Sequence, residues 1–219
     1  MKHVLFVTGI DTNIGKSYAT GYIAKKFALE GKKVITQKFI QTGNTDISED
    51  IKIHRKIMGK RLLPEDLNGT TCPITLSYPA SPHLAARIGE VYIDIEKIKT
   101  STAKLKRKYD IVLIEGAGGI MTPVSTDYTT LDYIKSQNIP VIVVTSSRLG
   151  SINHTLLTLE ICQSNDIDVF AVAYNKFNVE NTVICEDTEK YLKGYLEENL
   201  PETVWIDIED GEINVYSFK

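Results

Sequence analysis

The stretch Val4-Leu5-Phe6-Val7-Thr8-Gly9-Ile10-Asp11-Thr12-Asn13-Ile14-Gly15-Lys16-Ser17 decides the fold. Its apolar start reads as a buried strand, its middle as a glycine-bounded loop, and Gly-Lys-Ser as the opening of a helix. That layout is a phosphate-binding loop, or P-loop. Glycine lets the backbone curl so that N–H groups point at phosphate oxygens, and the helix N-terminus adds a positive dipole end. In such a loop Lys16 reaches the β- and γ-phosphates and the Ser17 hydroxyl ligates Mg²⁺. Five residues separate Gly9 from Gly15, one more than in the common motif.

The whole chain fits around that element. With 219 residues, 42% hydrophobic and 24% charged, it has the composition of a globular protein with an ample core. The expectation is one domain spanning 1–219. A formal net charge of −3 gives no reason to expect nucleic acid or an anionic membrane surface as partner. The basic run Lys104-Leu105-Lys106-Arg107-Lys108 reads as the solvated end of a helix. Cys72, Cys162 and Cys185 are far apart and lack metal-ligand spacing, so neither disulfides nor zinc is expected, and Cys162 reads as core. Val4 to Thr8 is far too short for a signal peptide, and no run approaches membrane-spanning length. A cytoplasmic setting is the expectation.

Strand and helix signals then alternate. Ser17–Glu30 has helical apolar spacing and stops at Gly31; Lys33–Gln37 reads as a strand; Ser48 caps a helix from Glu49 to about Met58. Residues 59–82, rich in Gly and Pro, read as surface loops, followed by a short helix ending at Gly89. A helix is expected over Asp94–Lys108, a buried strand over Tyr109–Glu115, a helix near Leu131–Ser136 and a buried strand over Pro140–Thr145. Ser151–Asn165 reads as a helix, Val169–Tyr174 as a strand and Glu186–Glu197 as a helix. The fold class is therefore α/β: a P-loop NTPase-like, mostly parallel sheet with helices on both faces. Ligands bind such sheets at the carboxyl ends of the strands. The segments Gly9–Ser17, Lys38–Thr42, Glu115–Gly119, Ser146–Asn153 and Asn175 all lie just past those ends.

Several of these residues carry chemistry. Glu115 ends an apolar strand before Gly116-Ala117-Gly118-Gly119, where P-loop enzymes place the acidic residue that holds Mg²⁺. Asp50 lies in the first turn of a helix, where favourable interaction with the helix dipole is explanation enough. Lys38 follows a strand end and is either a solvated loop charge or a γ-phosphate contact. Gly150-Ser151-Ile152-Asn153 opens a helix and is either an ordinary cap or a carboxylate site. Asn175 offers both a donor and an acceptor for a base edge. His54, His83 and His154 lack ligand spacing, and none reads as a metal ligand.

In combination, these stretches resemble the dethiobiotin synthetase family over most of the chain, from Val4 to about Trp205. The resemblance is carried by Val7–Ser17, by Gln37-Lys38 with Gln41-Thr42-Gly43, by Pro79-Ala80-Ser81-Pro82-His83, by Glu115–Gly119 and by Leu149–His154. The five-residue loop spacing matches that family. The resemblance implies ATP, CO₂ and 7,8-diaminopelargonic acid as substrates. Carbamate formation, phosphorylation to a carbamic–phosphoric anhydride and ring closure follow, releasing ADP and phosphate. It implies Lys16 and Lys38 as the catalytic cations and Ser17, Asp50 and Glu115 as Mg²⁺ ligands, which displaces the dipole reading of Asp50. It implies nucleotide binding by Asn13, Ile14, Gly15, Lys16, Ser17, Tyr18, Asp50, Glu115, Gly116, Ala117, Gly118, Asn175 and Lys176, with residues near Val204–Ile206 lining the base. Thr12, Lys38 and Thr42 would contact the diamine. The family is a homodimer, and Gly150–Asn153 of a second copy would bind the substrate carboxylate. The chain departs from the family pattern at Phe39 (usually proline), Ser17 (usually threonine) and Asn13 (often glutamate).

Two rival readings share parts of the pattern. A P-loop ATPase switch of the partitioning or cell-division type has an extra lysine early in the loop, and Ile10–Ile14 has none. An amidotransferase-type synthetase needs an added glutaminase domain with a Cys/His pair, for which there is no room.

Overall fold

The computed structural model describes residues 3–177, 179, 181–209 and 212–217. The order is β1 (His3–Gly9), α1 (Lys16–Leu29), β2 (Val34–Lys38), β3 (Gln41–Thr42), α2 (Glu49–Ile57), α3 (Pro64–Leu67), β4 (Thr75–Leu76), α4 (Pro82–Ile88), α5 (Ile95–Lys108), β5 (Ile111–Gly119), α6 (Thr130–Gln137), β6 (Val141–Ser146), α7 (Ser151–Gln163), β7 (Val169–Asn175), α8 (Thr182–Asn199), β8 (Val204–Glu209) and β9 (Glu212–Tyr216).

Seven strands form the main sheet in the order β2-β5-β1-β6-β7-β8-β9. Every pairing is parallel except the last, β8 with β9. Strands β1, β5 and β6 sit inside the sheet, which is why their sequences are continuously apolar and their side chains buried. The chain leaves β1 toward β2 and later passes to the other side of β1 to form β6. Given right-handed crossovers, that reversal puts helices on both faces. It also makes the carboxyl end of β1 the switch point where such sheets bind ligands.

The element boundaries follow local chemistry. Ser48 accepts a hydrogen bond from Ile51 N and starts α2, as expected. Asp94 caps α5 by accepting from Glu96 N and Lys97 N, and Thr129 with Asp132 forms a capping box for α6. Helix α8 starts at Thr182, earlier than the expected Glu186, because Asn181 caps it.

One expectation is corrected. Residues 59–82 are not simply surface loop: they hold α3 and β4, and Glu65, Asp66, Thr71, Ile74 and Leu76 are buried. Strand β4 pairs with β3 in a small parallel sheet of its own. Near the C-terminal end, Trp205, Ile206 and Ile208 are buried and β8 extends the main sheet.

Candidate active site

The loop between β1 and α1 wraps the carboxyl edge of the sheet. Gly15 has φ +84, and a Cβ there would lie 2.1 Å from Asn175 Nδ2, so only glycine fits. Asn175, at the end of β7, uses that amide to donate to Ile14 O at 3.0 Å while its Oδ1 accepts from Phe177 N at 3.2 Å. It therefore clamps the loop from behind. Asn13 has φ +59, a left-handed conformation that asparagine tolerates better than most residues.

Lys38 and Glu115 are register partners on neighbouring parallel strands, so the sheet itself sets them side by side. Lys38 Nζ lies 2.9 Å from Glu115 Oε1, 2.5 Å from Asp50 Oδ2 and 3.1 Å from Gly116 O. Ser17 Oγ lies 2.8 Å from both Asp50 Oδ1 and Glu115 Oε1. Three residues far apart in sequence thus converge where α1 begins, and α2 delivers Asp50 to the cluster. Phe39 does not disturb it. Its ring is buried against Phe6 (5.5 Å between centroids) and Tyr133 (4.7 Å), and Phe39 N donates to Glu115 O at 2.8 Å.

Burial would raise the Glu115 carboxyl, but the Lys38 charge and then the His54 hydrogen bond outweigh it and hold it well below the usual carboxylate range. Burial would likewise lower Lys38, yet Glu115 and Asp50 hold its proton more firmly than in water. Lys16 is different. Burial, then repulsion from Lys38, brings it down to about 8 despite the nearby carboxylates. Its Nζ donates to Asp11 O at 2.6 Å.

The oxygens around Ser17 suit a hard divalent cation. One hydroxyl proton cannot serve both carboxylate contacts at once, and two carboxylates with a hydroxyl are a donor set of the kind Mg²⁺ takes alongside phosphates. No cluster of three or more His, Cys, Asp or Glu suited to a metal occurs among the described residues, so the donor set rests on the hydroxyl as well.

These groups face a cleft of about 1090 Å³. Thr12, Asn13, Ile14, Gly15, Lys16, Ser17, Tyr18, Lys38, Thr42, Asp50, Glu115, Ala117, Gly118 and Asn175 line it. Gly116 does not; a Cβ there would meet the Phe6 ring at 2.8 Å. Lys176 also lies off the cleft, with Nζ paired to Glu189 at 2.8 Å. Val204–Ile206 do not reach it either, because Trp205 is core and packs on Tyr174 at 5.4 Å. Gly150–Asn153 start α7 outside this chain's own cleft, next to the exposed Leu149 and with Leu157 exposed further along the helix.

Sequence reasoning missed three neighbours. His54 is completely buried and its Nε2 lies 2.6 Å from Glu115 Oε2; its position four after Asp50 was the available signal. Phe177 stacks on Tyr18 at the cleft rim, 5.6 Å between centroids. Arg148, past the end of β6, pairs with Asp11 across the mouth.

A family profile described as an AAA domain matches residues 3–201. The ATP-dependent dethiobiotin synthetase BioD 2 of Pasteurella multocida is 51% identical over 205 residues, covering 94% of this chain and 96% of that protein. The dethiobiotin synthetase of Chlorobaculum tepidum is 45% identical, covering 88% and 81%. This chain belongs to the dethiobiotin synthetase family. Solved structures of more distant proteins share the fold alone. Cell division protein FtsY of Thermotoga maritima has a TM-score of 0.57 at 16% identity, over 100% of this chain and 66% of that one. The pNOB8 ParA structure has a TM-score of 0.53 at 15% identity, over 92% and 78%. The partitioning-type reading therefore reflects fold likeness, whereas membership in the synthetase family rests on sequence.

Proposed function

We propose that this chain converts 7,8-diaminopelargonic acid, CO₂ and ATP to dethiobiotin, ADP and phosphate. The observation that carries the proposal is the cluster of Lys38, Ser17, Asp50 and Glu115 beside the loop at Gly9–Ser17, in a chain 45–51% identical to named synthetases. One substrate amine adds CO₂ and loses a proton to become a carbamate. A carbamate oxygen attacks the γ-phosphorus, expelling ADP. The second amine then attacks the carbonyl carbon of the mixed anhydride, expelling phosphate and closing the ring.

The protein's part is to position and neutralise. Loop N–H groups from Asn13 to Ser17 hold the phosphates, with Lys16 taking up their charge. Ala117 and Gly118 let the backbone pass close by. Ser17, Asp50 and Glu115 would hold Mg²⁺, which offsets phosphate charge when bound. Lys38 acts as a fixed cation for the carbamate and γ-phosphoryl oxygens. Thr12 and Thr42 flank the diamine. The exposed apolar Leu149 and Leu157 beside Gly150–Asn153 fit a homodimer in which that segment completes the cleft of a second copy. ATP-consuming biosynthesis of this kind fits a cytoplasmic setting.

The test is phosphate release from ATP in bicarbonate with and without the diamine. Release that needs the diamine is expected, and diamine-independent release would sink the ligase reading.

For the base, Asn175 is already engaged by Ile14 and Phe177, so stacking is the stronger contribution. Tyr18 and Phe177 are 42% and 57% exposed at the rim and present a π-face. Phe177→Ala should raise the KM for ATP about tenfold with kcat nearly unchanged, since stacking on a base is worth about 1–3 kcal/mol. Equal KM values in steady-state assays would remove Phe177 from the nucleotide site.

A further inference from the structure

His54 is the one member of the cluster without a part in the reaction above. It is completely buried on α2, four residues after Asp50, so both side chains leave the same helix face. Its Nε2 lies 2.6 Å from Glu115 Oε2, and its Nδ1 has no hydrogen-bond partner among the described residues. All of its hydrogen bonding is thus aimed at the site.

The two oxygens of Glu115 are served differently. Oε1 faces Ser17 Oγ at 2.8 Å and Lys38 Nζ at 2.9 Å, on the cleft side. His54 is the hydrogen-bond partner of Oε2, on the far side. The terminal torsion of glutamate is broad and roughly two-fold, so contacts at one oxygen do not fix the carboxylate plane. An ionised carboxylate only accepts hydrogen bonds, so the proton between the two groups sits on Nε2.

We propose that His54 is a positioning residue. By donating from Nε2 to Oε2 it locks the Glu115 carboxylate plane and keeps Oε1 turned toward Ser17 and Asp50. Helix α2 thereby sets both carboxylates of the Mg²⁺ site, Asp50 directly and Glu115 through His54. This inference rests on the Mg²⁺ assignment proposed above.

The experiment measures binding of a non-hydrolysable ATP analogue as free Mg²⁺ is varied, in wild type, His54→Leu and His54→Gln. Loss of a hydrogen bond behind a metal-ligating carboxylate costs about 10–100-fold in metal affinity. His54→Leu should raise the Mg²⁺ midpoint at least about tenfold while metal-free binding of the analogue stays within about two-fold. His54→Gln, whose amide N–H₂ falls near the lost Nε2, should recover most of the difference. An unchanged midpoint in His54→Leu, or an equal loss with and without Mg²⁺, overturns the positioning role. Nitrogen-15 NMR of the unmutated, metal-free protein gives a readout that does not depend on the variants folding. It should find the His54 proton on Nε2, and a proton on Nδ1 alone would overturn the inference. If wild-type binding itself does not depend on Mg²⁺, the metal assignment fails; a Mg²⁺ dependence that His54→Leu retains leaves that assignment intact and removes only this inference.

Discussion

Lys38→Ala should lower the rate of ring formation about 1,000-fold while ADP binding stays within a few-fold of wild type. The two readouts separate because of where Lys38 sits. Its Nζ touches Asp50, Glu115 and Gly116 O, whereas the expected cradle for ADP is the loop from Gly9 to Ser17 with Lys16. In the proposed mechanism, charge that builds on the carbamate and γ-phosphoryl oxygens meets Lys38 only in the reacting complex. Removing one preorganised donor to developing charge typically costs 100- to 1,000-fold in rate, and the 5% exposure of Lys38 favours the upper end. Lys38→Arg should recover little, because a planar guanidinium cannot reproduce three contacts made by a compact ammonium in a packed site. Single-turnover release of γ-phosphate, beside titration with a fluorescent ADP, checks both halves. Unchanged turnover would remove Lys38 from the catalytic set.

What was legible in advance follows from which signals are local. Strands β1, β5 and β6 are continuous apolar runs because neighbours cover both faces, and such runs can be read without knowing the neighbours. The phosphate loop is legible because its glycines and Gly-Lys-Ser lie within one strand–turn–helix unit. Asp50 is not legible from its own neighbourhood, and only the family resemblance named it. Its place in a first helical turn is explained locally by the dipole, and the packing of α2 on α1 brings it to Ser17, 33 residues earlier. His54 depends on the same packing and had no resemblance to name it, so it stayed hidden. Strand β8 was hidden because its apolar run is short and breaks into Asp207-Ile208-Glu209. Asp207 is nevertheless buried: Lys176 lies 3.5 Å away and Trp205 Nε1–H donates to it at 2.9 Å. The reading of 59–82 as surface failed because Gly and Pro mark turns without marking exposure. Glu65 and Asp66 are buried there, each paired with a cation from another element (Lys108 and Arg55), which no single-residue scale anticipates.

The most consequential of those pairs is Arg55 with Asp66. Arg55→Ala should destabilise the fold by about 3–5 kcal/mol, because it leaves a buried carboxylate without its counter-charge. The guanidinium grips Asp66 with two bonds of 2.8 Å and donates to Thr36 Oγ1 at 2.8 Å, tying α2 to α3 and to β2. For a chain of this length that loss corresponds to a fall in Tm of about 10 °C. Burial by itself would raise the Asp66 carboxyl; Arg55 outweighs it and holds the group below its usual value near 3.8. In wild type the resulting stabilisation is therefore present above that value and lost as pH falls through the lower, folded-state value. Without Arg55 the balance tips to burial, and the Asp66 carboxyl rises. Its ionised form then costs stability at neutral pH and stops costing it once protonated. The gap between wild type and Arg55→Ala should accordingly be widest near neutrality and narrow toward pH 4. A combined Arg55→Met, Asp66→Leu variant removes the charge and its partner together, so it should be closer to wild type than Arg55→Ala is. Because α2 also carries Asp50 and His54, Arg55→Ala should weaken Mg²⁺-dependent nucleotide binding as well. Denaturant titrations at pH 7 and pH 4 decide the matter: a constant gap across that range would mean that Arg55 acts by packing and not by holding the charge of Asp66.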